Sequence, residues 1–542
     1  MAVEYRVFGP PGTGKTTFLG KQIEKFIRFD DYIGEEIYVC SFTKAAAQAA
    51  AQGINELPDG EKDLIIPERN IGTLHSFCFR LLNTPIIAES KTKEYDQWTQ
   101  NKAFQIDDST SIDIDDPYGN ESLPAKNNGT RLLSDVGKWR NMLKPESSWP
   151  IEHQRFYADW CAWKRETDYL DFTDLIERVI EYKYGLWNMR ILLVDEAQDL
   201  VPMHWKLLRM WGDSSKCEKF IVAGDDDQAI YEWSGAVISE FLKPIAEENK
   251  YVLPHSHRIP SAIHDLSQAW IKPIRTREPK AFTPREEPGK VTFLKTQTYT
   301  FCSQLVKHIV ETCDRTNETA MILAPTSHQL QHLIKTLRYN GVPFSNIYRK
   351  TNGAWNPLAR RKKSVHGADR LYAFLKRPQL ISDFKVWGEC LLKSAFTDKN
   401  IYKEMCDYPE TLELGESEYE ILFGEAYGDL LFQGDIPTLN KFLTSKFQKS
   451  LEYPQRIWLR RTELEDIVKQ PLITVGTIHS VKGGEADNVY VIPDLPNIAF
   501  AKWSTGDQDE IRRLFYVAFT RARHTLSILK PATRRAISLG IQ

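Results

Sequence analysis

The octapeptide Gly9-Pro10-Pro11-Gly12-Thr13-Gly14-Lys15-Thr16 constrains this chain more than any other stretch. It fits the spacing G-x-x-x-x-G-K-[ST], and its flanks fit as well. Val3 to Phe8 before it is a predicted buried strand. From Thr16 to Phe29 after it, Phe18, Leu19, Ile23, Phe26 and Ile27 recur at amphipathic helical spacing. Strand, glycine-rich turn and helix N-terminus together form a phosphate-binding loop. Glycines let the backbone curl until its N–H groups point inward at an anion, and the helix dipole adds positive potential at the same place. The pattern predicts a bound nucleoside triphosphate, with Lys15 reaching the β- and γ-phosphates and the Thr16 hydroxyl on Mg²⁺.

At 542 residues the chain predicts several domains, three or four, because single cores stop growing at about 250–300 residues. Its 42% hydrophobic and 26% charged residues are those of a soluble globular protein. No apolar run approaches the roughly 20 residues that span a bilayer, and a strand starting at residue 3 leaves no room for a secretory signal. No membrane association is expected. The eight cysteines are scattered without a C-x-x-C pair, which argues against zinc, iron–sulfur or disulfide frameworks and for a reducing compartment. A net charge of −3 gives no global nucleic-acid signature, so any such binding must use local patches.

Along the chain, Glu36 to Ser41 is the next predicted strand, and Asn70 to Phe77 another strand-to-helix junction. From about Leu82 to Lys164 the βα rhythm stops, and Ile106 to Asp116 holds five aspartates, read as an acidic loop in an inserted helical subdomain. The rhythm returns at Arg190 to Glu196 and Lys219 to Asp225, again at Thr319 to Pro325 with a helix to Asn340, and at Leu472 to Val475 and Asn488 to Ile492. Such alternation implies parallel sheets with ligands at the strands' C-terminal ends. The expected fold is α/β with two P-loop-type domains, each carrying a mostly helical insertion. The expected boundaries are 1–84 with 165–250 for the first domain and 85–164 for its insertion. The second domain is 251–349 with 467–542, and its insertion 350–466. Basic runs at Arg360 to Lys363 and Arg456 to Arg461 are either solvated surface or phosphate contacts.

Asp195-Glu196, ending an apolar strand, supplies the other half of an ATPase: Asp195 for Mg²⁺ opposite Thr16, and Glu196 to orient or deprotonate the attacking water. Here the motifs become specific. Asp195-Glu-Ala-Gln-Asp199 and Gly224-Asp-Asp-Asp-Gln-Ala-Ile-Tyr-Glu-Trp-Ser-Gly235 resemble consecutive motifs of the UvrD/Rep/PcrA helicases of superfamily 1A. So, in order, do Ser41-Phe-Thr-Lys-Ala-Ala, Gly72-Thr-Leu-His-Ser-Phe77, Asp171-Phe-Thr-Asp-Leu175 and His257-Arg258. Later come Gly476 to Glu485 and Arg513 to Arg523. The likeness covers most of both α/β blocks, both of RecA-like type in that family.

The resemblance implies an ATP-dependent DNA helicase that moves 3′ to 5′ on single-stranded DNA and acts on 3′-tailed duplex. It assigns Arg258 and Arg521 to the γ-phosphate, from the second domain, and Gln228 as a γ-phosphate sensor. His257 stands where the family has an adenine-stacking tyrosine, and Glu485 matches a residue at the nucleotide sugar. Tyr231, Trp233 and Phe42 match base-stacking aromatics, while Thr43, His75 and His479 match residues near the DNA backbone. There are departures: no Gln among the eight residues before Gly9, Ser234 in place of an arginine, and a shorter second insertion. Two other readings stand beside this one: a single-stranded DNA translocase that displaces proteins, and an ATP-gated subunit of a repair or defence complex. ATP and Mg²⁺ are the expected cofactors, with DNA and a protein partner in repair, replication or defence as partners. The expected location is the cytoplasm, nucleoid-associated, of a bacterium or phage-infected cell.

Overall fold

The computed structural model describes residues 3–41, 66–106, 128–346, 355–358, 365–461 and 463–539. The chain divides into two compact units, Met1–Val291 with Leu495–Thr525 and Ser538–Gln542, and Thr292–Asp494 with Leu526–Ile537. No helix among the described residues is long and apolar enough to cross a membrane.

The first unit is built on six strands: β1 (Val3–Phe8), β2 (Ile37–Ser41), β3 (Ile71–Gly72), β4 (Ile191–Asp195), β5 (Lys219–Gly224) and β6 (Lys250–Val252). They lie in the order β3-β2-β4-β5-β1-β6, every neighbouring pair parallel. Parallel strands with both faces covered read as continuous apolar runs, and β2 and β4 are buried along their whole length. The two-residue period sorts β4 between two cores. Ile191 and Leu193 pack with Leu19, Ile23 and Phe26 of the helix α1 (Lys15–Phe29), while Leu192 and Val194 pack with Leu74, Phe77 and Leu175 on the other face. Because β1, β4 and β5 are adjacent and parallel, the turns after Phe8, Asp195 and Gly224 emerge together at one sheet edge.

The insertion after β3 has its own aromatic core, with Tyr95, Phe104, Trp149, Phe156, Trp160 and Trp163 buried together. Its acidic loop lies in residues 107–127, outside the described residues. A buried ionic clasp joins this insertion to the helix Phe172–Glu181. Arg140 pairs with Asp171 at 2.8 Å, Asp174 at 2.6 Å and Glu177 at 2.5 Å, and Lys164 pairs with Asp171 at 2.6 Å. Asp171 and Asp174 also cap that helix reciprocally, each carboxylate accepting from the other's backbone N–H. Asp171 to Leu175 is therefore a structural joint.

The second unit carries a five-stranded sheet in the order Ile473–Thr477, Ala320–Ala324, Ala486–Val491, Ala522–Ile528, Lys290–Phe293. Its first three strands pair in parallel. Seven helices between Gly367 and Arg461 surround a separate core of Phe374, Phe384, Trp387, Tyr419, Phe423 and Leu431. This is the mostly helical character expected of the second insertion. Of its basic runs, Arg360 to Lys363 lies outside the described residues, whereas Arg461 pairs with Asp314 at 2.7 Å.

Candidate active site

The loop after β1 curls as its glycines allow. Gly12 and Gly14 have φ of +74° and +76°, the left-handed region that costs other residues strain, and Gly14 directly precedes α1. Lys15 folds back over the loop. Its Nζ donates to the Gly9 carbonyl at 3.0 Å, and a Cβ on Gly9 would sit 2.0 Å from Lys15 Cγ. Thr13 Oγ1 donates to the Pro10 carbonyl at 2.7 Å.

A strap from β7 (His255–Pro260) fixes the far side of the loop. Ser256 Oγ donates to the Pro11 carbonyl at 2.7 Å, and the His257 N–H donates to the Gly12 carbonyl at 2.8 Å. In a trans peptide the N–H points opposite to the C=O, so the Gly12 and Thr13 amides face away from the strap. Pinning two carbonyls thus leaves the Gly12 N–H aimed across the loop, as an anion cradle requires, while the Thr13 N–H donates to the Pro10 carbonyl at 3.2 Å within the loop's own turn. Arg258 crosses directly over Gly12, where an added Cβ would lie 2.4 Å from its own Cβ. Gly12→Ala is expected to weaken nucleotide binding by at least about tenfold, because it combines a forbidden φ with that collision. Unchanged affinity for a fluorescent ADP analogue would show that the cradle does not need this geometry.

Opposite the loop, Thr16 Oγ1 donates to Asp195 Oδ2 at 3.0 Å, and Lys15 Nζ lies 3.9 Å from Glu196 Oε1. Burial, followed by the neighbouring Glu196 charge, pushes the Asp195 carboxyl up to about 6. A hydroxyl and a carboxylate of raised basicity, side by side at the mouth of an anion cradle, suit an oxygen-ligated divalent cation such as Mg²⁺. Glu196 itself has φ +55° and ψ +39°, an unusual conformation for a glutamate and one found at functional turns.

The turn after β5 joins this group. Gln228 Nε2 donates to Asp225 Oδ2 at 2.7 Å, and Arg521 Nη2 donates to Gln228 Oε1 at 2.7 Å. Arg521, at the end of the helix Asp509–Phe519, is almost wholly buried. Asp225, Asp226 and Asp227 surround one fully buried lysine: Lys280 Nζ lies 3.2 Å from Asp225 and 3.0 Å from Asp227 and also pairs with Asp226. Burial alone would lower the ammonium's pKa, but the three carboxylates overcome it and hold the lysine charged. Arg277 completes the knot at 2.6 Å from Asp227, and Arg513 donates to the Asp226 carbonyl at 3.0 Å and to Glu232 at 2.8 Å.

The structure brings together Gly9 to Thr16, Asp195, Glu196, Gln228, Arg521, His257 and Arg258, all within the first unit. His257 is exposed beside the loop. Trp233 is half-buried, its loop held by a hydrogen bond from Lys138 to its carbonyl, whereas Tyr231 is buried. His75 stands edge-on to His204 and Phe172, and burial lowers its pKa to about 4, so its ring is neutral at physiological pH. Phe42 and Thr43 lie outside the described residues. His479, buried, and Glu485, exposed, belong to the second unit. Sequence reasoning missed Ser256, Gln198 and Lys280. Gln198 sits inside a motif already in view, but Lys280 has no local pattern around it.

Comparison with known proteins agrees with this arrangement. Residues 3–248 match the UvrD/REP helicase N-terminal domain, and residues 436–532 match the UvrD-like helicase C-terminal domain. The chain is 23% identical to the ATP-dependent DNA helicase PcrA of Staphylococcus aureus strain MRSA252, over 96% of this chain and 80% of that protein. Identity to the protein of the same name from Staphylococcus epidermidis strain ATCC 12228 is also 23%, with the same coverage. With both family domains matched in order and a built phosphate loop at the first, the chain belongs to the UvrD/Rep family of ATP-hydrolysing helicases.

Proposed function

We propose that this protein is a motor that hydrolyses ATP with Mg²⁺, moves 3′ to 5′ along single-stranded DNA and separates duplex ahead of it. The observation that carries the reading is the Thr16–Asp195 contact at 3.0 Å beside Lys15 and Glu196. It sets a cation-ligating pair and a candidate base against one phosphate cradle. In this reading Thr16 and Asp195 would hold Mg²⁺, which would supply positive charge against the phosphates. Lys15 and the loop amides bind them, Glu196 orients and deprotonates water, and Arg258 and Arg521 stabilise charge at the γ-phosphate, with Gln228 reporting its presence. The relatives named as DNA helicases support DNA as the track. We further assign residues 1–84 with 165–250 and 251–349 with 467–542 to two RecA-like domains, with 85–164 and 350–466 as their insertions.

The test is strand displacement on 3′- and 5′-tailed duplexes with ATP. Displacement confined to the 3′ tail is expected, and equal displacement from a 5′ tail would overturn the polarity. DNA contact is assigned to Trp233, the accessible aromatic of its loop, and Phe42, Thr43, His75 and His479 are the further residues that the family likeness assigns to DNA. Stacking on one base contributes about 1–3 kcal/mol, so Trp233→Ala should weaken oligo(dT) binding about 5- to 150-fold. Unchanged fluorescence anisotropy of labelled oligo(dT) in this variant would remove Trp233 from the track.

A further inference from the structure

Gln198 lies two residues beyond Glu196, 1% exposed, with no role in the assignments above. Its amide can be oriented without ambiguity. The Asp225 backbone N–H can only donate, so the atom it meets at 3.0 Å is Gln198 Oε1. The opposite end, Nε2, is therefore the donor that meets Glu196 Oε2 at 2.5 Å and Asp199 Oδ2 at 3.2 Å. Gly224 makes room for this: a Cβ there would stand 2.6 Å from Gln198 Oε1. The result is a continuous chain of hydrogen bonds, half-buried at Glu196 and buried from Gln198 onward. It runs from the Glu196 carboxylate through the Gln198 side chain to Asp225, then from the Asp225 carboxylate to Gln228 and on to Arg521.

We propose that Gln198 is a positioning residue for ATP hydrolysis, holding the Glu196 carboxylate in register with the turn that carries Gln228. Glu196 needs such a hold. Its backbone is in the left-handed region, and an untethered carboxylate at the end of three rotatable bonds would sample orientations that miss the water. An amide donor locks one carboxylate oxygen and leaves the other turned toward Lys15. Because the same amide is anchored on the backbone of Asp225, a shift of the Asp225–Gln228 turn is passed to Glu196. Engagement of Arg521 and readiness of the base are thus joined through one side chain. The inference rests on the reading of Glu196 as the group that activates water.

Two substitutions separate positioning from architecture. Gln198→Glu keeps the acceptor for the Asp225 N–H and removes the donor to Glu196. Gln198→Ala removes both without adding a carboxylate. Each is measured by single-turnover hydrolysis with DNA and by affinity for a fluorescent ADP analogue, alone and combined with Glu196→Gln. Expected is a fall in the hydrolysis rate of about 10- to 100-fold in both, the scale of a misplaced catalytic group, with ADP affinity within about threefold of wild type. On the Glu196→Gln background neither should slow hydrolysis further, because Gln198 acts through the group already removed. Wild-type rates in Gln198→Glu, or losses that multiply on the Glu196→Gln background, would overturn the inference. Wild-type turnover in Glu196→Gln alone would instead remove the assignment of Glu196, a failure visible separately.

Discussion

Changing Glu196 to Gln is expected to lower DNA-stimulated ATP turnover about 10²- to 10⁴-fold, the usual contribution of a positioned general base. The substitution preserves shape and the capacity to accept a hydrogen bond but removes the basic lone pair. Binding should survive, because in the proposed reading phosphate is gripped by Lys15 and the loop backbone, whose Pro11 and Gly12 carbonyls are pinned independently by Ser256 and His257. The signature is therefore a collapsed kcat with nucleotide affinity within about threefold of wild type. Turnover near the wild-type rate would mean that water is activated elsewhere, and the hydrolytic site drawn here would be wrong.

Lys280→Met is expected to cost about 3–5 kcal/mol of stability, the scale seen when one partner is taken from a buried ion pair. The lysine side chain is 1% exposed and faces three carboxylates that are themselves inaccessible. Without it, Arg277 would still pair with Asp227, but Asp225 and Asp226 would lose their lysine. A second change, Asp226→Asn, removes one of the excess charges and should recover part of the loss. Urea unfolding followed by tryptophan fluorescence measures both. A shift below about 1 kcal/mol in the single variant would show that the carboxylates find compensation outside the knot. The same lysine bears on function, because Asp225 holds Gln228 and Gln198, so a variant that folds should also hydrolyse ATP slowly.

Much of the fold was legible because its strands are short, apolar and bounded by motif residues. Val3 to Phe8 is a strand at the limits read from sequence, and Asp195 ends β4 where the apolar run stops. The differences are at ends. Helix α1 opens at Lys15, one residue earlier than the apolar spacing suggests, because Gly14 turns the chain into it. Strand β2 begins at Ile37 because Glu36 closes a short 3₁₀ turn. The phosphate loop, Asp195 and Glu196 were readable because their spacing is dictated by the ligand. Lys280, Arg277 and Arg140 were not, since a buried charge is identified by partners distant in sequence. Asp171 to Leu175 shows the converse: it was recognisable as a motif, yet its aspartates are engaged with Arg140, Lys164 and a helix cap.

The pinned carbonyls of Pro11 and Gly12 carry one last consequence. The signature of eight residues contains everything needed to name the loop, but not what sets its peptide planes. That information is stored some 245 residues downstream, in the hydroxyl of Ser256. A polypeptide cut off at residue 248, where the recognised N-terminal module stops, would keep the sequence of the cradle but lose both hydrogen bonds that fix its Pro11 and Gly12 carbonyls. Nucleotide recognition here is a property of the assembled unit and cannot be excised with the motif that announces it.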